Sequence, residues 1–133
     1  MIATPVLERT ETADELLRAA HRQAYLLSET DLIGYLKRVL GRPLIAHVTG
    51  TADANNVSRW ASGRARPDRV VWERLRTLAT LHIALTAIVG SESSGAQWFT
   101  GANPSLGFKM PADELRAGNV AAVFAAARDL AQR

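Results

Sequence analysis

Apolar residues recur along this chain at helical rather than strand spacing. Leu16, Leu17, Ala20, Ala24 and Leu27 form one stripe behind Thr12, which stands three residues before Glu15 as in a capping box, and this predicts a helix to about Ser28. Ser28 to Asp31 marks a second start, followed by Leu32, Ile33, Leu36, Val39 and Leu40 and a stop at Gly41. Pro43 then sits near the first position of a short helix that Gly50 closes. Residues 51–53 read as a turn. Asp53 is placed there to cap a helix from Ala54 to Ala61, which Gly63 terminates.

Pro67 begins the longest element. From Asp68 to Val89, Val71, Trp72, Leu75, Leu78, Leu81, Leu85 and Ile88 keep a period near 3.6, and the apolar stripe widens after Leu78 until it nearly encircles the helix. This pattern predicts a spine, exposed on one side early and buried or paired with another chain later. Gly90 stops it, and SESSG starts a shorter amphipathic piece carrying Trp98 and Phe99. After a loop, Pro111 opens a helix through Ala117, Gly118 breaks it, and Asn119 caps a last helix to about Ala131. No segment alternates as a strand does. The predicted class is all-α: a helical bundle with a helix-turn-helix and a small carboxy-terminal helical unit. The boundaries fall at a loose tail over 1–11, a helix-turn-helix region over 12–90 and a carboxy-terminal region over 91–133.

Composition sharpens this picture in one place. The 133 residues are 47% hydrophobic and 22% charged, enough for one shared core. Sixteen Lys and Arg against thirteen Asp and Glu give +3, yet between Arg42 and Arg69 five Arg face only Asp53 and Asp68. That stretch alone carries an excess equal to the whole chain's, as expected of a polyanion-binding face. With no Cys there is no disulfide scaffold or thiol nucleophile, and His21, His47 and His82 are too dispersed for a metal motif, so neither metal nor cofactor is implied. No nucleophile and base fall in a recognisable pattern and no Gly-rich phosphate loop occurs, which argues against an enzyme. The first twenty residues lack the basic start and apolar run of a signal peptide, and nothing approaches ~18 consecutive apolar residues. The chain reads as cytoplasmic.

The Arg-rich stretch, ANNVSRWASGRARP at 54–67, has the parts of a helix-turn-helix. Ala46 is small where two helices cross, Gly50 tolerates positive φ in the turn, and Val57 can face back into the core. The Gly50 to Val57 separation is one residue longer than the commonest version of the motif, which predicts a slightly longer turn. Asn55, Asn56 and Arg59 lie in the first turns of the second helix, where Asn can bind adenine and Arg guanine bidentately; they are the base-edge candidates. Ser58, Arg64, Arg66 and Arg69 border the end of that helix and the start of the next, and are the phosphate candidates. Trp60 is assigned to the core beside Val57.

Residues 98–128 form a second organised unit whose simplest role is to complete the bundle. Trp98, then NPSLG at 103–107, PADELRAG at 111–118 and VAAVFAAAR at 120–128, with VSRWASG upstream at 57–63, resemble in order and spacing the Xre/MbcA/ParS-type antitoxins over roughly residues 31–131. Phe108, Lys109 and Met110 depart from that pattern, where a more polar linker is expected. The resemblance implies a type II antitoxin that dimerises, neutralises a RES-domain toxin which consumes NAD, and represses its own operon through operator DNA. By the same analogy toxin contacts fall to Asn103, Pro104 and Leu106 in the loop and to Arg128, Asp129, Gln132 and Arg133 at the end. Arg128 and Arg133 also suit a helix carboxyl end on electrostatic grounds alone. The competing expectation is a stand-alone helix-turn-helix repressor, phage-derived in origin, whose last unit dimerises or makes a second DNA contact.

Overall fold

The structure is a computed structural model, and it describes residues 12–133; the tail expected over 1–11 lies outside the described residues. Among the described residues, eight α-helices run in the order α1 (Ala13–Leu26), α2 (Glu29–Val39), α3 (Arg42–Thr49), α4 (Asn55–Ala61), α5 (Arg69–Val89), α6 (Glu92–Trp98), α7 (Pro111–Arg116) and α8 (Val120–Ala131). The fold is an all-α bundle, as the apolar periodicity predicts, and no strand occurs among the described residues.

Polar side-chain caps set the starts of four of these eight helices. The hydroxyls of Thr12, Ser28 and Ser91 accept from the backbone N–H of Glu15, Asp31 and Ser94 at 3.1, 3.2 and 3.0 Å, and the Asp68 carboxylate accepts from Val71 at 2.9 Å. Each such cap stabilises its helix by about 1 kcal/mol. Asp68, rather than Pro67, therefore fixes the start of the long helix. A second correction concerns α8. Asn119 precedes it but makes no capping bond; its amide donates instead to Glu114 Oε2 at 2.6 Å, tying α8 to α7. The loop before α7 also contains a 3-10 turn over Pro104–Leu106, too short to leave a periodic signal.

The long helix α5 packs against α1, α2, α3, α6 and α8, and is buried continuously from Leu78 to Leu85. One hydrophobic cluster runs from Leu17 in α1 through Tyr35, Ile45, Val57, Leu81 and Phe99 to Ala127 in α8. The expected burial around α5 after Leu78 is met within the chain as far as Leu85, with α1, α6 and α8 among the helices packed on it, whereas Val89 is exposed. Gly95 lets α6 lie directly on α5: a Cβ there would stand 3.2 Å from Thr86 Oγ1 and 3.5 Å from His82 Cδ2. No helix among the described residues is long and apolar enough to cross a membrane.

Candidate functional site

The helix pair α3 and α4 is built as the sequence requires. Gly50 closes α3 with φ +74, in the left-handed region that favours glycine, and the five residues from Gly50 to Ala54 make the lengthened turn. Asp53 accepts from the Asn55 N–H at 2.8 Å, starting α4. Val57 is fully buried and Trp60 only 8% exposed, so this i, i+3 pair anchors α4 in the core while Asn55 and Arg59 point outward. Gly63, at φ +77, ends the helix, and the Arg59 carbonyl accepts from Arg64 N–H at 2.9 Å.

The DNA candidates are not equivalent once folded. Arg59 and Arg64 are exposed and form no ion pair among the described residues. Asn55 and Ser58 are both approached by Arg42 Nη1, at 3.5 and 3.3 Å, which lays a third cation along the outer face of α4. Asn56 is half-buried, leaving Asn55 and Arg59 as the more accessible of the base-edge candidates. Arg66 is held bidentately by Glu29 of α2 at 2.7 and 3.2 Å, and that carboxylate raises its pKa further. Arg69 lies 3.5 Å from Glu73. A phosphate would displace a carboxylate from these last two, and both pairs are exposed enough for the exchange to cost little.

The carboxy-terminal candidates divide differently. Asn103 and Pro104 line a concavity of about 190 Å³ with Trp98, Ala126, Leu130 and Arg133, so the loop and the chain end meet there. Asn103 is 9% exposed and its side-chain oxygen accepts from Ser105 N–H at 2.9 Å, which gives it the task of shaping the loop. The loop is closed by Asn103 N–H to the Lys109 carbonyl at 3.1 Å and Phe108 N–H to the Asn103 carbonyl at 2.8 Å. Leu106 packs against the core, whereas Asp129, Gln132 and Arg133 are exposed. Arg128 is not part of this concavity: it reaches the other way, to Asp14 of α1 at 2.8 Å.

Two junctions join the halves. At the first, His47 of α3 meets Asp113 of α7 at 2.7 Å, Arg116 Nη1 donates to the His47 carbonyl at 3.2 Å, and Arg74 Nη1 bridges the carbonyls of Val48 and Arg116 at 3.1 and 3.0 Å. At the second, Arg38 grips Glu92 at 3.0 and 3.1 Å, holding that carboxyl below its usual range. The Glu92 carbonyl, which can only accept, receives Nε2–H of the fully buried His82 at 3.0 Å; Nδ1 is then the acceptor for the Tyr35 hydroxyl. Burial lowers the His82 pKa and raises that of Tyr35, so both are neutral.

Comparison with family models, curated proteins and solved structures finds no match. Sequence reasoning missed Arg42, whose contacts span 13 and 16 residues and become visible only when α3 and α4 are folded together. It also missed Phe108 as a displayed side chain. This residue is 71% exposed at φ +66, a conformation costly for a bulky residue and one that clusters at ligand contacts.

Proposed function

We propose that the protein is the antitoxin of a type II toxin-antitoxin system, neutralising a RES-domain toxin that consumes NAD and repressing its own operon through α3 and α4. The observation that carries the reading is the concavity in which Trp98, Asn103, Pro104 and Arg133 converge, because it gathers the separated pieces of the antitoxin resemblance at the chain end. The exposed, strained Phe108 beside it adds an apolar contact of the kind that anchors interfaces. The exposed guanidiniums of Arg59 and Arg64 on and after α4 support the DNA-reading role.

Co-expression with a RES-domain toxin tests the proposal: growth is restored and the two proteins co-purify. Binding of operator DNA without any binding or rescue of such a toxin would instead favour the stand-alone repressor. Removing the residues after Leu130 takes away Arg133 from the concavity and no buried side chain, so the chain should fold and bind operator DNA but lose neutralisation. Neutralisation at the full-length level by this truncation would remove the chain end from the interface. Conversely, Arg59→Ala should weaken operator binding by about 1–3 kcal/mol in a gel-shift or calorimetric titration while leaving neutralisation intact. An unchanged affinity would take Arg59 out of the reading edge.

A further inference from the structure

A cleft of about 400 Å³ opens between α1, α5 and α8, away from both candidate sites. Leu17 and Phe124 give it an apolar surface, and Arg18 and Arg22 stand along its α1 side. These two guanidiniums are four residues apart on one helix face, about 6 Å between Cβ atoms, and neither has an acidic partner among the described residues. Arg128, the third, is occupied by Asp14 at 2.8 Å.

The least exposed polar residue lining the cleft is Thr80, at 2%. Thr77 and Thr86 on the same helix return their hydroxyl protons to carbonyls four residues back, at 3.0 and 2.8 Å. Thr80 makes no such bond within the described residues, and every side-chain polar atom wholly shut off from solvent is satisfied, so its hydroxyl opens onto the cleft. Open to the cleft and bonded to nothing within the described residues, this hydroxyl is available to a molecule lying there, beside a lining that holds Asp14 as well as the three guanidiniums.

We infer that this cleft binds a small organic phosphate of nucleotide size. The volume lies within the range of small-molecule pockets and is too small for a docked helix. Two adjacent guanidiniums match a phosphate's several acceptor oxygens. Leu17 and Phe124 offer a flat apolar body its contact surface, and Thr80 supplies the hydrogen bond that selects for a polar edge on that body.

The test is calorimetric titration of the full chain with adenosine 5′-monophosphate, adenosine and inorganic phosphate as probes. The nucleotide should bind saturably and at least about tenfold more tightly than either fragment, because only it engages the cations and the apolar surface together. Arg18→Gln and Arg22→Gln should each weaken it by about tenfold, as loss of one charge-assisted contact predicts. Thr80→Val, nearly the same shape, should weaken it by a smaller factor, and Asp14→Asn should tighten it by releasing Arg128. Thermal unfolding of each variant checks its fold, and the two Arg substitutions are at exposed positions that leave the core untouched. Absence of saturable nucleotide binding overturns the inference. So does binding that neither Arg substitution changes, or phosphate binding as tight as the nucleotide's and indifferent to Thr80→Val.

Discussion

Trp60→Ala is expected to destabilise the protein by about 3–5 kcal/mol, the range for removing a large aromatic side chain from a packed interior. Trp60 is 8% exposed and belongs to the same hydrophobic cluster as Phe99 and Ala127, so there is no separate small core to absorb its loss. With a typical total stability of about 5–15 kcal/mol, a change of that size leaves a marginal fold. Urea denaturation should show a lower midpoint in a single transition. Both α4 and the carboxy-terminal unit should be lost together when followed by probes in each half. A Trp60→Ala protein as stable as the parent, or one that loses only α4, would show that the cluster is energetically divided. The contrast with Arg59→Ala is informative: adjacent residues on one helix, one expected to govern stability and the other binding.

His82→Ala is expected to cost about 2–4 kcal/mol, combining a cavity with the removal of the acceptor for the buried Tyr35 hydroxyl. The intact network also sets an acid limit. Burial keeps the folded pKa of His82 below its ordinary value of 6.5, so the unfolded chain takes up the proton first as pH falls. The unfolded state then binds more protons than the native state, and stability declines with acidification. The His82 contribution is fully present above about pH 6.5 and is lost progressively below it. Glu92 has the same sign at lower pH: its carboxyl, held down by Arg38, contributes above its ordinary value of 4.5 and loses that contribution as pH falls through the depressed folded value. Unfolding measured between pH 8 and pH 4 should therefore show a fall beginning near neutrality in the parent protein. In His82→Ala the fall should start only in the carboxylate range. Identical pH profiles would exclude His82 as the group responsible.

The readable parts of the sequence were those whose physics is local. Gly41, Gly50, Gly63, Gly90 and Gly118 all sit at positive φ at the helix ends where the periodicity places stops. The anchoring of α4 by Val57 and Trp60 is likewise local, since the i, i+3 spacing already puts both on one face. What the sequence did not show depends on groups far apart in the chain. The Glu29 partner of Arg66 lies 37 residues away and the Asp14 partner of Arg128 lies 114 away. Neither separation leaves a pattern in a local window, and each alters what its Arg is available to do. Asn119 shows the same effect at short range. It occupies a capping position, yet a charged acceptor at Glu114 Oε2, 2.6 Å away, competes successfully for its side chain.

The close seating of α6 on α5 at Gly95 bears on how such a chain can change over evolutionary time. A recombination event that exchanged residues 91–133 for another protein's sequence would need to bring a residue without a side chain to that point. It would also need an aromatic to fill the place of Phe99, which is wholly enclosed. Changes to the surface proposed to meet a partner are therefore more readily reached by point substitution in the 103–109 loop and the last turn of α8 than by trading the whole segment.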